Sequence, residues 1–127
     1  MNKIKKLIGY ILYVFIGSWM PHYQCGMSWL LCKRYKQVCG RLLFDYCGSN
    51  VDIGRKISFS SHVSLGDNSS IGDYANIIGN LEIGNDVMVS SNCAFLASNH
   101  NYFRTDIPMN KQGGSEEQII IGNDVWI

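Results

Sequence analysis

His100 is the residue best placed to do chemistry. It stands in Ala97-Ser98-Asn99-His100-Asn101-Tyr102, where a regular pattern gives way to an irregular stretch, Asn99 to Gln118, that contains Pro108 and Gly113-Gly114. A segment of about 20 residues without an apolar period is uncommon inside a compact domain and is usually functional. An imidazole with an ordinary pKa of about 6.5 is neutral and proton-accepting near pH 7, which suits a general base. The competing reading is a merely solvated loop histidine. His22 and His62 are the remaining histidines. A catalytic zinc would need three such ligands converging on one point. His22 falls outside the regular pattern and no second histidine accompanies His100, so no metal is expected. The five cysteines, Cys25, Cys32, Cys39, Cys47 and Cys93, are odd in number and form no C-x-x-C. They read as small buried hydrophobes rather than as a disulfide framework or zinc ribbon.

The elements that must position His100 follow from a period of six. Ile53, Phe59, Leu65, Ile71, Ile77, Ile83, Val89 and Phe95 recur every sixth residue, and glycine follows Ile53, Leu65, Ile71 and Ile83. Four places after each anchor comes another small or aliphatic residue: Ile57, Val63, Ser69, Ala75, Leu81, Val87 and Cys93. No α-helix can hold such a series on one face, because the anchors would rotate around its axis. A triangular arrangement can, with each hexapeptide forming one short face and a corner. Successive turns would stack as parallel strands about 4.8 Å apart. The expected fold is therefore mainly β, a left-handed parallel β-helix of hexapeptide repeats over residues 49–127 carrying a loop at 99–118. The pattern resumes at Ile121, six residues before Ile127.

Residues 1–48 differ in kind. They hold seven basic side chains and one acidic, 7 − 1 = +6, whereas residues 49–127 hold four and nine, 4 − 9 = −5, for a total of +1. That total speaks against nucleic acid as a partner. Lys3, Lys5 and Lys6 precede an apolar run, Leu7 to Met20, that is too short for a membrane span of about 20 residues. It reads as a helix lying on an anionic membrane surface or packed on the protein. Pro21 breaks the run, and a second helix is expected over Ser28–Tyr46, its apolar face formed by Leu31, Tyr35, Val38 and Leu42, with Gly48 as the stop.

Ile83-Gly-Asn-Asp-Val, Asn99-His100-Asn101, Asp106-Ile-Pro108, Gln112-Gly-Gly and Ile121-Gly-Asn-Asp-Val-Trp126-Ile127 resemble motifs of the hexapeptide-repeat O-acetyltransferases, which include galactoside, maltose and polysaccharide acetyltransferases. The resemblance covers roughly Asn50 to Ile127. It implies a homotrimer with active sites between subunits. It implies acetyl-CoA as co-substrate, a sugar or surface polysaccharide as acceptor, and His100 as the base. Trp126 would lie near the CoA arm, and Asn92 and Asn99 would contact the acceptor, although both also suit corner or turn positions. No residue here matches the family's acceptor-contacting carboxylate. The family motif also runs on through further repeats, so a truncated product is expected. The expected location is the cytoplasm, at the inner face of the membrane. Two alternatives remain open: a non-catalytic scaffold, and a zinc protein resembling γ-class carbonic anhydrase.

Overall fold

The computed structural model describes residues 3–21, 27–59 and 62–127. Of the residues singled out above, His22 and Cys25 lie outside those residues. Two helices come first, α1 (Lys3–Phe15) and α2 (Met27–Leu43), with a 3-10 turn at Gly17–Trp19 between them. Eleven short strands follow: β1 (Tyr46–Cys47), β2 (Asp52–Ile53), β3 (Val63–Leu65), β4 (Ser70–Ile71), β5 (Asn76–Ile78), β6 (Asn80–Ile83), β7 (Met88–Val89), β8 (Ala94–Leu96), β9 (Ser98–His100), β10 (Gly114–Glu116) and β11 (Gln118–Ile121).

The strands belong to four separate small sheets, ordered β1-β3-β6-β11, β2-β4-β7, β5-β8 and β10-β9. The first three are parallel and the last is antiparallel. This corrects the expected left-handed parallel β-helix. No left-handed solenoid is evident. The chain is a set of small parallel and antiparallel sheets with two helices packed beside them. A physical reason lies in the backbone. Asn50, Lys56, Asn68, Tyr74, Asp86, Asn92 and Asp124 all have φ between 49° and 64°, and each such residue ends a straight run. Strands are thereby cut to two to four residues.

The six-residue spacing is nevertheless a burial pattern. Ile53, Leu65, Ile71, Ile77, Ile83, Val89 and Phe95 are buried, and Phe59 is partly buried against them. Most parallel partners stand eighteen positions apart, as in Val63 opposite Leu81 and Ile53 opposite Ile71. The turns are tied at the same spacing. Asn50 Nδ2 donates to Asn68 Oδ1 at 3.0 Å, and Asn68 Nδ2 to Asp86 Oδ1 at 3.1 Å. The glycine after an anchor has a steric cause, for a Cβ on Gly54 would lie 2.5 Å from the carbonyl carbon of Gly72.

The helices were only partly legible. The first starts at Lys3 and ends at Phe15, earlier than the apolar run suggests, and the second ends at Leu43, so that Tyr46 is in a strand. The face expected to be apolar on α2 is split: Leu31 is 67% and Val38 52% exposed, whereas Tyr35 packs against the core and Leu42 is partly buried. The buried face holds Lys36, Cys39 and Gly40. Small residues let this helix approach the sheets closely. A Cβ on Gly40 would lie 2.6 Å from Ile53 Cδ1. Lys36 is fully buried, with no hydrogen-bond partner for its Nζ among the described residues. Burial lowers its pKa, against the pull of Asp52 and Asp73. Tyr13 of α1 reaches into the same core, donating to Gly54 O at 2.7 Å and accepting from Ile57 N–H at 3.0 Å.

Candidate active site

His100 ends β9 and pairs with Gly114 of β10, so the expected loop is an antiparallel arm rather than an open stretch. Gln112 organises its tip. Its Nε2 donates to Arg104 O at 2.7 Å and Ile107 O at 3.1 Å, and its Oε1 accepts from Arg104 N at 3.1 Å. Asn101 closes the base of the arm through Nδ2 to Gln112 O at 3.1 Å and its own N to Gly113 O at 3.1 Å. Arg104 and Asp106 form an ion pair on the tip. Antiparallel pairing of such short, polar segments leaves no periodic signal, which is why sequence patterning missed it.

The imidazole of His100 is exposed and has no hydrogen-bond partner among the described residues. Asn99 is beside it, but its Oδ1 accepts the His100 backbone N–H at 2.9 Å. Asn92 is exposed at a corner with φ 64°, where its N–H donates to Asp73 O at 2.8 Å. Trp126 is 78% exposed and bridges to Met88 in the β2-β4-β7 row. The structure thus brings Asn99 to His100. It leaves Asn92 at a separate corner and Trp126 on a different sheet.

A second cluster lies on the outer face of the β1-β3-β6-β11 sheet, in a cleft of about 170 Å³ lined by Asp45, His62, Ser64, Asn80, Leu81, Glu82 and Gln118. Asp45 Oδ2 is 2.6 Å from His62 Nδ1 and Asp45 Oδ1 is 2.8 Å from Lys6 Nζ. Partial burial pushes the Asp45 carboxyl up, but the bonds from Lys6 and His62 outweigh it and hold the group below the usual carboxylate range. A carboxylate can only accept, so Nδ1 of His62 is the donor and Nε2 is the ring's other nitrogen. This is an imidazole with an orienting carboxylate, an arrangement that His100 lacks among the described residues. Sequence reading missed it because Asp45 and His62 belong to no shared motif. The available signal was weak: outward residues beside the anchors, at His62 and Asn80 or at Ser64 and Glu82.

No group of three or more histidine, cysteine or acidic side chains able to hold a metal occurs among the described residues. Cys39 is buried, and Cys32, Cys47 and Cys93 are partly so, all as free thiols. No protein-family model matches the chain, and no curated protein or solved structure is significantly similar to it.

Proposed function

We propose that this chain moves an acetyl group from acetyl-CoA to a hydroxyl of a sugar or surface polysaccharide, with His100 as general base. The observation that carries the reading is an unpartnered, exposed imidazole held at the root of an arm whose tip is fixed by Gln112. The motif resemblance around His100 and Trp126 points the same way. In the reaction, a neutral His100 nitrogen takes the acceptor's hydroxyl proton as its oxygen attacks the thioester carbonyl. The tetrahedral intermediate then collapses, the C–S bond breaks, and the imidazolium returns the proton to the CoA thiolate. Asn99, beside His100, offers an amide for the acceptor, whereas Trp126, for the CoA arm, and Asn92 stand apart from His100 within one chain and would have to come from a neighbouring subunit. A homotrimer would supply His100 with neighbours. The exposed, paired Ile78 and Leu96 suit such a contact.

The test is to incubate the chain with acetyl-CoA and a panel of free sugars and oligosaccharides, measuring both O-acetyl ester and released CoA thiol. Equal amounts of both products support the reading. CoA binding without ester formation would favour the non-catalytic scaffold instead.

A second reading concerns α1. Ile4, Leu7, Ile8, Ile11 and Phe15 form an exposed apolar stripe at helical spacing, beside exposed Lys3 and Lys5. No helix among the described residues is long and apolar enough to cross a membrane. The stripe suits a helix lying in an anionic membrane surface, at the inner face of the cytoplasmic membrane. Sedimentation with vesicles containing anionic lipid should carry the chain down, and Leu7→Ser with Ile11→Ser should leave it in the supernatant. Equal sedimentation of parent and variant would contradict this.

A further inference from the structure

His100 stands on a two-stranded ribbon whose register decides what its ring can reach. Across the ribbon His100 is opposite Gly114, Asn99 opposite Ser115 and Ser98 opposite Glu116. Backbone bonds at either end fix the alternation: Asn101 N donates to Gly113 O at 3.1 Å, and Glu117 N to Ala97 O at 2.6 Å. Paired residues of an antiparallel ladder alternate between hydrogen-bonded and non-hydrogen-bonded. Stepping inward from those two ends, His100–Gly114 and Ser98–Glu116 are the non-hydrogen-bonded pairs. In such pairs the Cα atoms are about 4.5 Å apart and the side chains lie closest. Ser98, His100 and Glu116 therefore share one face of the ribbon, with Gly114 in the fourth place.

The glycine leaves the place directly opposite the imidazole without a side chain. A Cβ on Gly114 would lie 2.7 Å from Asn99 O, so the ribbon excludes a larger residue there. The reach of the imidazole across the ribbon is then diagonal, past Gly114. Two residues before it, Gln112 is committed to Arg104 and Ile107. Two residues after it, Glu116 is exposed, and its carboxylate has no hydrogen-bond or ion-pair partner among the described residues. The one arginine of the arm, Arg104, is already paired with Asp106. Diagonal neighbours on one face are about 7 Å apart, within reach of a long side chain turned toward a ring. Both side chains are exposed, so nothing packed against them opposes that turn.

We propose that Glu116 is the positioning residue of His100, its carboxylate accepting from His100 Nδ1–H and leaving Nε2 as the nitrogen offered to the acceptor hydroxyl. A carboxylate can only accept, and a neutral imidazole donates from one nitrogen, so the contact selects the tautomer. A bond to an ionised acceptor is stronger than a neutral one. Nε2 takes the hydroxyl proton, Nδ1 keeps its own, and Glu116 stays ionised beside the imidazolium that forms, whose charge it favours. The Ser98 hydroxyl, directly opposite Glu116, can donate to the second carboxylate oxygen. Asp45 and His62 show the same pairing already closed, at 2.6 Å. This assignment rests on the reading of His100 as the base, but the contact itself needs only the ribbon.

The experiment reads the contact and the reaction separately. Ring-nitrogen NMR shifts of His100 in the full chain, at mildly alkaline pH where an imidazole is neutral, give its tautomer, with His62 as the internal reference. The parent should be mostly Nδ1–H. Glu116→Ala should lose that excess, and Glu116→Gln, which keeps an uncharged acceptor, should recover part of it, with His62 unchanged throughout. Turnover with acetyl-CoA and an acceptor is the second readout. Glu116→Ala should lower kcat about tenfold, the size of one charge-assisted hydrogen bond, at unchanged CoA affinity. In a His100→Ala background it should cost nothing further. A parent ring mostly Nε2–H, a tautomer ratio unchanged in Glu116→Ala, or an equal loss of turnover with and without His100 would overturn the proposal. A chain that shows the Nδ1–H excess but transfers no acetyl group would uphold the contact and sink the reading of His100 as the base.

Discussion

A histidine can act as a base only if a ring nitrogen reaches a hydroxyl and the ring is held in a fixed tautomer. Within the chain His100 meets the first need by exposure, and the proposed contact with Glu116 meets the second. His62 shows the contrast, since Asp45 already fixes its tautomer. The residue-level reading of the sequence singled out His100, Asn99 and Trp126 because they fall in motifs resembling those of the hexapeptide-repeat acetyltransferases. It could not find the Asp45–His62 pair, because that pair arises from stacking of strands with no local signature. A thiol gives a further residue-scale prediction. Burial pushes Cys47 from 9.0 up to about 11, against the pull of Arg41. The folded state therefore holds the proton more tightly than the unfolded one. The associated stability is complete below pH 9 and is lost as pH rises through about 11. Denaturant midpoints measured from pH 8 to 11 should fall more steeply in the parent than in Cys47→Ala. Parallel profiles would show that Cys47 does not titrate this way.

At the scale of elements, the Tyr13 phenol ties α1 to the sheets. Tyr13 is buried, packs edge-on against Phe59 at 5.0 Å, and bridges Gly54 O and Ile57 N–H. Tyr13→Phe keeps the ring and strands both backbone groups. It should cost about 1–3 kcal/mol in chemical denaturation, and a variant as stable as the parent would mean water reaches those groups. The arm carries its own test. Gln112→Ala removes the bonds to Arg104 and Ile107 and should accelerate amide exchange at Arg104 while leaving Ile71 and Ile83 protected. Unchanged exchange at Arg104 would show that the tip is held by other contacts. Half of the expected apolar face of α2, Leu31 and Val38, turns outward for a physical reason. Leu31 and Val38 look like core residues by hydropathy, but Gly40 and Cys39 allow closer approach to Ile53, and approach distance decided which face went in.

For the molecule as a whole, the sequence revealed which residues are inside but not how the strands are grouped. The six-residue series from Ile53 to Phe95 is a correct list of buried or partly buried positions. The inferred left-handed solenoid does not follow from it, because burial period alone does not fix strand length, sheet grouping or hand. Ile77 is 1% exposed at the middle of that series. Ile77→Asp would place an unpaired charge there and should cost more than about 4 kcal/mol, or prevent folding. A folded, equally stable variant would contradict the packing. The central proposal is that His100 serves as the general base of acetyl transfer, and its most direct test is steady-state turnover of His100→Ala beside its affinity for CoA. A base that acts on the acceptor hydroxyl predicts turnover falling by about 10²–10⁴ while CoA affinity stays at the parental value. Near-parental turnover in His100→Ala would contradict the account.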